Sequence, residues 1–175
     1  MSIRIRQLHE VNDQQITELS EVLVDCVKGG ASVSFMAPFA HEDARAFWEK
    51  VAADVASGAR ALLVAESSDG TIIGTVQLVL AMPPNQLHRA DVAKMLVHRS
   101  VRGRRIATEL MLALEATALQ LQRHLLVLDT VTGGIAEHLY ERLGWVRVGI
   151  VPDFALFPQG GYCSTTFFYK TLVAR

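Results

Sequence analysis

Apolar positions recur along this chain with two different spacings, and the spacing changes at glycine and proline clusters. Apolar residues three to four positions apart predict amphipathic helices, whereas alternation or a short apolar run predicts a strand. The pattern predicts helices over residues 12–28, 41–57, 106–121 and 135–143. It predicts strands over residues 3–8, 61–66, 71–80, 90–97, 124–130, 145–151 and 164–171. The resulting order, β-α-α-β-β-β-α-β-α-β-β, predicts an α/β domain with a mixed sheet.

Turn-forming residues separate these elements. Gly29-Gly30 and Gly58 follow the first two predicted helices, where glycine commonly ends a helix. Ser68-Asp69-Gly70 predicts a tight turn between the second and third strands. Residues 152–162 lie between the last two predicted strands, and we expect them to form an irregular loop. No repeat or linker divides the chain, so we expect residues 1–175 to form one domain.

Composition restricts the class of protein. Half of the 175 residues are hydrophobic, one fifth are charged, and the net charge is −1. A near-neutral chain lacks the basic field of a non-specific nucleic-acid binder, so we expect no nucleic-acid partner. No uncharged apolar stretch reaches about 18 residues, so we expect no membrane partner. Residues 1–30 lack a signal-peptide pattern, and Cys26 and Cys163 lack metal-ligand spacing. We therefore expect a cytoplasmic protein without a disulfide or a metal.

Positive charge is concentrated in one short segment despite the near-neutral total. The five arginines of this segment and its approach are Arg89, Arg99, Arg102, Arg104 and Arg105. A predicted strand ends at Val97 and a predicted helix follows Arg105, so the cluster lies at a helix N-terminus, which favours anions. Gly103 can adopt backbone angles that direct successive amides toward such an anion. The alternative is a solvated basic turn that only begins the helix. The segment matches neither a P-loop nor a dinucleotide fingerprint.

Two segments resemble motifs of the GNAT superfamily of acyl-CoA-dependent N-acetyltransferases. The spacing Arg102-x-x-Arg105-x-Ala107 is similar to the pyrophosphate-binding motif R/Q-x-x-G-x-G/A, with Arg105 at the position of the internal glycine. The stretch AEHLYERLGW, residues 136–145, is similar to the family's A-x-x-x-Y-E-K-L-G-F. An asparagine that many members place seven residues before the tyrosine is Gly133 here. Segments 29–36, 88–92, 128–130 and 169–172 also resemble tabtoxin-resistance acetyltransferases.

The resemblance implies a fold and a cosubstrate. The implied GNAT fold is α/β, with a mixed, mostly antiparallel central sheet of about six to seven strands flanked by four helices. The implied cosubstrate is acetyl-CoA, without a metal. The pantetheine arm is expected to pair with the backbone at the end of the fourth strand, at Met95, Leu96 and Val97. The pyrophosphate is expected at the turn and the start of the next helix, on Arg102, Gly103, Arg104, Arg105, Ile106, Ala107 and Thr108.

The resemblance also implies catalytic candidates. Acetyl transfer from a thioester needs a neutral amine, a stabilised oxyanion and a proton for the departing thiolate. Tyr140 is the candidate acid for the thiolate, and its alternative role is packing on a short helix. Asp129 and Asp91 are candidates to deprotonate or hold the amine. Asp129 could instead anchor the loop or helix that follows it, and Asp91 could pair with Arg89 or Lys94 at the surface.

Two segments are expected to enclose the acceptor. The stretch GGASVSFM, residues 29–36, lies between the first two helices, where the resemblance implies that Ser32, Phe35 and Met36 line the acceptor site. Phe154, in the expected loop 152–162, would lie on the opposite wall. The alternatives are a packed connector for the first segment and a mobile surface loop for the second.

These expectations combine into one functional hypothesis. The chain is expected to transfer an acetyl group from acetyl-CoA to a primary amine of a small molecule, such as a toxin, an antibiotic-like compound or a metabolite. Direct transfer in a ternary complex is expected, because Cys26 lies on an apolar helix face and no base is evident near Cys163. The alternatives are acetylation of a protein N-terminus or lysine, and a non-catalytic acyl-CoA sensor. Family members are often dimers, so a homodimer is also expected, although no interface is evident in the sequence.

Overall fold

The computed structural model describes residues 3–173, which form one seven-stranded sheet and four α-helices. The strands are β1 (Arg4–Leu8), β2 (Arg60–Glu66), β3 (Ile72–Val79), β4 (Arg89–Val97), β5 (Leu125–Val131), β6 (Val146–Leu156) and β7 (Tyr162–Thr171). The helices are α1 (Asp13–Lys28), α2 (His41–Ala56), α3 (Ile106–Gln120) and α4 (Ile135–Arg142). The strand order is β1-β2-β3-β4-β5-β7-β6, and all neighbouring strands are antiparallel except β4 and β5. The predicted fold class is confirmed.

Local signals in the sequence set the ends of α1. The Asn12 side chain accepts a hydrogen bond from the Gln15 N–H at 2.9 Å, and the Gln15 side chain accepts one from the Asn12 N–H at 3.0 Å. This capping box pairs backbone donors that the helix itself leaves without partners. Gly29 ends the helix, and Gly30 follows with a φ of +86°. The chain then turns into the connector that leads to α2.

Two hydrophobic cores lie on opposite faces of the sheet. Helices α1 and α2 pack on one face, against β2, β3 and β4, where Trp48 is fully buried. Helix α3 packs on the other face across β1–β4, and α4 packs against β5. Leu128 of β5 belongs to the second core, whereas the next residue, Asp129, is exposed. Because side chains alternate along a strand, Asp129 points to the α1–α2 side of the sheet.

Strand β4 contains a β-bulge. Between Ala93 and Leu96, β4 has one residue more than the β3 segment that it pairs with. Lys94 lies at this point with a φ of +51°, in the left-handed region. Pairing between β4 and β5 ends at Asp91, opposite Val127. Beyond that pair the two parallel strands separate, and their carboxyl ends border an opening in the sheet, which is a frequent location for ligands in α/β folds.

The interpretation of residues 152–162 as an irregular loop is wrong. Strand β6 continues to Leu156 and β7 begins at Tyr162, so the connection between them is residues 157–161. Pro152 is compatible with a strand here, because β6 is an edge strand and its register with β7 shifts around this proline. The bulge breaks the regular alternation of side chains, and this concealed the strand in the sequence pattern.

The edge strand β6 exposes apolar side chains along its whole length. Val148 is 67% exposed and Ile150 is 48% exposed. Within residues 3–173, no helix combines the length and the apolar character needed to cross a membrane.

Candidate active site

The arginine-rich turn lies at the carboxyl end of β4, beside the opening between β4 and β5. After Val97 the chain forms a short 3-10 turn, passes through residues 102–105 and enters α3. Gly103 has a φ of +79°, as expected for a glycine at a position that side chains disfavour. Arg105 has a φ of +62° and precedes the first residue of α3. The internal glycine of the family motif aligns with Arg105, so this chain places an arginine where the backbone favours glycine.

The five arginines of the cluster separate into two groups. Arg99 donates its backbone N–H to Asp25 at 2.8 Å and its Nε at 2.9 Å, which fastens the 3-10 turn to α1. Arg89 pairs with Asp91 at the other end of β4. The remaining three, Arg102, Arg104 and Arg105, lie exposed at the turn. These three side chains carry the positive charge of the candidate anion site.

The start of α3 adds backbone donors to this charge. The N–H of Glu109 donates to the carbonyl oxygen of Arg105 at 3.0 Å as the helix begins. The N–H groups of Ile106, Ala107 and Thr108 precede this bond and point along the helix axis toward the turn. The Ile106 side chain is buried, so its contribution to an anion site is the backbone amide. The arrangement suits a phosphate group.

The end of β4 supplies the next part of the site. Leu96 and Val97 pair with β3 and have buried side chains, whereas Met95 at the bulge is half-buried. The carbonyl oxygen of Val97 accepts a 3.1 Å hydrogen bond from Arg102 Nε. The backbone of this segment borders the opening on the side where β5 has separated, as an added extended chain would require.

Tyr140 lies in α4 and is 5% exposed. Its ring centroid is 5.9 Å from that of Trp145 and 5.9 Å from that of Phe168. Burial raises the pKa of the Tyr140 phenol well above its usual range, and the negative charge of Asp129 raises it further. The phenol therefore stays protonated at neutral pH. Tyr140 therefore packs against Trp145 and Phe168, and its pKa also responds to the charge of Asp129.

The two candidate carboxylates have different surroundings. The Asp129 carboxylate accepts a 2.7 Å hydrogen bond from the Thr165 hydroxyl on β7. Asp91 lies where β4 and β5 still pair, and it forms an ion pair with Arg89, as one sequence alternative anticipated. Of the two carboxylates, only Asp129 affects the pKa of Tyr140, which its negative charge helps to raise.

The residues expected to line the acceptor site lie on the same side of the sheet as Asp129. Ser32 donates a 2.8 Å hydrogen bond to the carbonyl oxygen of Leu156, which ties the connector to the end of β6. The Phe35 ring packs 4.6 Å from that of Phe39. Met36 is 46% exposed. On β6, Phe154 packs edge-to-face at 5.7 Å against Phe167, the cross-strand neighbour of Asp129.

One cavity lies apart from these catalytic candidates. It measures about 460 Å³ and lies between the connector and α2. Its lining includes Phe35, Met36 and Phe47, but neither Tyr140 nor Asp129. Phe35 and Met36 therefore line a cavity that Tyr140 and Asp129 do not reach.

The sequence analysis assigned no role in the site to three polar residues of this region, Lys94, Ser34 and Thr165. Lys94 lies at the bulge, and its Nζ donates a 3.2 Å hydrogen bond to Ser34 Oγ. Thr165 orients Asp129 from the neighbouring strand. A lysine inside an apolar strand was a visible signal in the sequence. No local pattern, however, predicts a bulge or the partner of a residue on a distant strand.

The two cysteines are buried. Burial raises the pKa of the Cys26 thiol, which disfavours the nucleophilic thiolate. Cys163 lies in β7 rather than in a loop, with its Sγ 3.5 Å from Ser32 Oγ. Across residues 3–173, no group of three or more histidine, cysteine or acidic side chains is arranged to hold a metal ion.

Similar solved structures share this fold. A proposed acetyltransferase from Salmonella typhimurium, solved with its cofactor acetyl-CoA, has a TM-score of 0.78 at 18% identity, over 99% of this chain and 95% of that chain. A proposed phosphinothricin N-acetyltransferase has a TM-score of 0.79 at 18% identity, over 99% of this chain and 100% of that one. A ribosomal-protein-alanine N-acetyltransferase from Brucella melitensis has a TM-score of 0.78 at 20% identity, over 98% of this chain and 100% of that one.

A family model covers the part of the chain that builds the site. Residues 27–145 match the model of the acetyltransferase (GNAT) family. This range contains β4, the arginine-rich turn, Asp129 and Tyr140. The match extends over more than half of the sequence, and the chain therefore belongs to the GNAT family and is an N-acetyltransferase of the GNAT type.

Proposed function

We propose that this enzyme transfers an acetyl group from acetyl-CoA to a primary amine of a small molecule such as a toxin, an antibiotic-like compound or a metabolite. The observation that carries the proposal is the separation of β4 and β5 beyond the Asp91–Val127 pair, which leaves an opening bordered by Asp129 on β5 and by residues 95–97 at the end of β4. The arginine-rich turn adjoins the same opening. A thioester held from the turn and an amine held near Asp129 can therefore approach each other there.

Acetyl-CoA is proposed to bind along the end of β4 and the start of α3. The N–H groups of residues 106–108 and the side chains of Arg102, Arg104 and Arg105 would hold the pyrophosphate. The left-handed backbone at Gly103 and Arg105 supports this, because it turns the chain so that the α3 amides face solvent. The backbone of residues 95–97 would receive the pantetheine arm. The acetyl-CoA complex of the Salmonella typhimurium protein supports this choice of cosubstrate.

Transfer is proposed to occur directly, in a ternary complex. The amine nitrogen attacks the thioester carbonyl carbon, forming the N–C bond, and the C–S bond then breaks. Asp129 accepts the proton that leaves the nitrogen, directly or through water. Backbone amides near the β4 bulge stabilise the oxyanion. A cysteine relay is disfavoured because Cys26 and Cys163 are both buried.

Tyr140 is proposed to act on the leaving thiolate. Burial and the charge of Asp129 raise the pKa of the phenol, so a free tyrosinate is costly while Asp129 is ionised. The phenol therefore still carries its proton when the C–S bond breaks. The phenol then donates its hydrogen bond, and finally its proton, to the thiolate. A proton then returns to the tyrosinate from Asp129, directly or through water, so both residues end in their starting states.

A small acceptor is proposed because two hydrogen bonds close the acceptor side. Ser32 donates to Leu156, and the N–H of Ala37 donates to the carbonyl oxygen of Pro158 at 2.8 Å. Together they hold the connector against the β6–β7 hairpin and narrow the entrance for a folded protein. Acetylation of a protein N-terminus or lysine remains the alternative within the same reaction.

Calorimetric titration of the purified full chain with acetyl-CoA, followed by a thiol-release screen against small amines, tests the function. Binding together with thiol release on one or more amines supports it. Binding without release on any amine contradicts the small-molecule acceptor and favours a protein acceptor or a sensor. The absence of binding contradicts the assignment of the turn. We also propose a homodimer, and sedimentation velocity showing only a monomer would contradict it.

A further inference from the structure

Lys94 and Ser34 meet on the acceptor side of the sheet, and each has an uncommon backbone conformation. Lys94 has a φ of +51° at the β4 bulge, and Ser34 has a φ of +80° in the connector. Lys94 Nζ donates to Ser34 Oγ at 3.2 Å. Left-handed residues other than glycine are disfavoured and concentrate at functional sites. Two of them in one contact indicate a constraint beyond chain connection.

The Lys94 side chain is half-buried, and its ammonium forms no ion pair among residues 3–173. Its Nζ lies 5.6 Å from the ring centroid of Phe35 and 5.6 Å from that of Phe47. Its hydrogen-bond partner is the neutral Ser34 hydroxyl. Burial lowers the pKa of Lys94, repulsion from Arg60 lowers it further, and Asp129 opposes the change. An anion beside this ammonium would offset the unfavourable burial.

The sheet next to Lys94 also has more donors than acceptors. Gln77 of β3 lies opposite Ala93, the residue before Lys94. Arg60 Nη1 donates to Gln77 Oε1 at 2.6 Å, and because a guanidinium only donates, this bond fixes the orientation of the Gln77 amide. Gln77 Nε2 is then a buried donor without a partner in the described part of the chain. Arg60 is itself paired with Asp54 at 3.1 Å, whereas Gln77 Nε2 and the Lys94 ammonium have no acidic hydrogen-bond partner among residues 3–173, so a negative acceptor beside them would be favourable.

We propose that Lys94 and Ser34 form a subsite for an anionic group of the acceptor, so that the preferred acceptor is an amine that also carries an acid group. This inference rests on the proposed function. Lys94 reaches the acceptor side from β4, and Asp129 faces the same side from β5, where the two strands have separated. A positive and a negative side chain thus match the two charges of one zwitterion. The apolar rings of Phe35 and Phe47 border the ammonium at 5.6 Å, and a less polar surrounding strengthens an ion pair with a bound acid.

A purely structural role of Lys94 makes a different prediction. A lysine that only holds the connector through Ser34 would affect every acceptor to the same extent. A subsite for an acid group affects acceptors with that group and leaves the others unchanged. The ratio of kcat/KM for an acid to that for its amide therefore distinguishes the subsite from the structural role, whereas the overall rate does not.

The test compares acids with their amides as acceptors of the full-length enzyme. A panel of α-, β- and γ-amino acids, each also offered as its carboxamide, is assayed by thiol release with saturating acetyl-CoA. Lys94→Met keeps the length of the side chain and removes its charge, whereas Lys94→Arg keeps the charge. Lys28→Met, at an exposed lysine in the last turn of α1, is the matched control. Circular dichroism and acetyl-CoA titration check each variant for folding and cosubstrate binding.

The wild type is expected to prefer at least one acid over its amide by about tenfold or more in kcat/KM. Lys94→Met is expected to abolish this preference by raising the KM of the acid. The KM values of the amide and of acetyl-CoA are expected to stay unchanged. Lys94→Arg is expected to keep part of the preference. Equal losses for acid and amide in Lys94→Met, or a wild type without preference, would overturn the subsite while leaving the proposed function intact. No thiol release from any panel member, in an enzyme that releases thiol on other small amines, overturns the subsite alone, whereas no release on any amine contradicts the proposed function as well. Should Lys94→Met fail to fold, Ser34→Ala is expected to give a smaller loss confined to the acids, and an equal loss for amides overturns the proposal.

Discussion

Arg102 Nε donates a 3.1 Å hydrogen bond to the carbonyl oxygen of Val97, the last residue of β4. The bond folds the turn back on the strand that it leaves, while the Arg102 side chain remains partly exposed. Arg102 therefore shapes the turn and also places positive charge where the pyrophosphate is proposed to lie. This double role sets the first prediction.

Replacing Arg102 and Arg104 together by alanine is expected to raise the KM for acetyl-CoA about tenfold or more, since charge-assisted hydrogen bonds to phosphate are lost. The kcat is expected to change much less, because neither side chain reaches the reacting atoms. Steady-state kinetics at saturating amine measure both constants. Arg4→Ala, at an exposed arginine of β1, is the control. An unchanged KM for acetyl-CoA is incompatible with a pyrophosphate site at this turn.

Two substitutions of Arg105 remove the same charge but differ in how well they fit the left-handed backbone. Its φ of +62° is unfavourable for any residue with a Cβ, so Arg105→Gly relieves the conformation whereas Arg105→Ala retains it. The glycine variant is expected to be more stable than the alanine variant by about 1 kcal/mol, with the larger unfolded-state entropy of glycine reducing the difference. Urea unfolding of both variants measures this difference. Equal stability would mean that the left-handed backbone imposes no strain at this position.

Tyr140→Phe is expected to lower kcat roughly a hundredfold or more, as is usual for loss of a general acid. The KM for acetyl-CoA should stay close to that of the wild type. Burial and Asp129 raise the pKa of Tyr140, so its phenol remains protonated throughout the neutral range and its ionisation produces no fall in rate there. A pH–rate profile of both proteins tests this. Tyr169→Phe, at a partly exposed tyrosine of β7, is the control, and a silent Tyr140→Phe favours a non-catalytic sensor.

A matched pair of variants distinguishes the roles of the Asp129 and Asp91 carboxylates. Asp129→Asn is expected to reduce kcat/KM about a hundredfold or more, because the proton acceptor at the opening is lost. Asp91→Asn is expected to have a small effect, since this carboxylate pairs with Arg89 where the strands are still joined. Both substitutions preserve size, so kinetics compare the chemistry directly. The reverse ranking would transfer the role of base to Asp91.

The ion pair between Asp25 and Arg99 predicts an acid dependence of stability. Burial would raise the pKa of Asp25, but the hydrogen bonds from Arg99 outweigh it and the net pKa is lowered. A carboxylate whose pKa is lower in the folded state stabilises the protein above its unfolded pKa and loses this contribution as pH falls through the folded pKa. Asp25→Asn is expected to flatten the loss of stability between about pH 5 and pH 2. Denaturant unfolding across this range is the measurement, with Glu10→Gln, at an exposed glutamate, as the control. Parallel curves for Asp25→Asn and wild type would contradict the prediction.

The sequence by itself determined the order of elements and most of their bounds. Apolar periodicity reflects which face of an element is buried, and that pattern is local in the chain. Capping and turn residues such as Asn12 and Gly29 also act within a few residues. Motif resemblance added Tyr140 and the turn at residues 102–105, because both depend on short segments with fixed spacing.

Only the tertiary structure decided which of these side chains meet. Arg99 binds Asp25 on α1, and Asp129 is oriented by Thr165, a residue 36 positions away. The bulge at Lys94 and the extension of β6 depend on register with a neighbouring strand, and an alternating pattern within one strand carries no information about that register. The sequence therefore fixes the local elements, whereas pairing across the sheet selects the residues that face the opening.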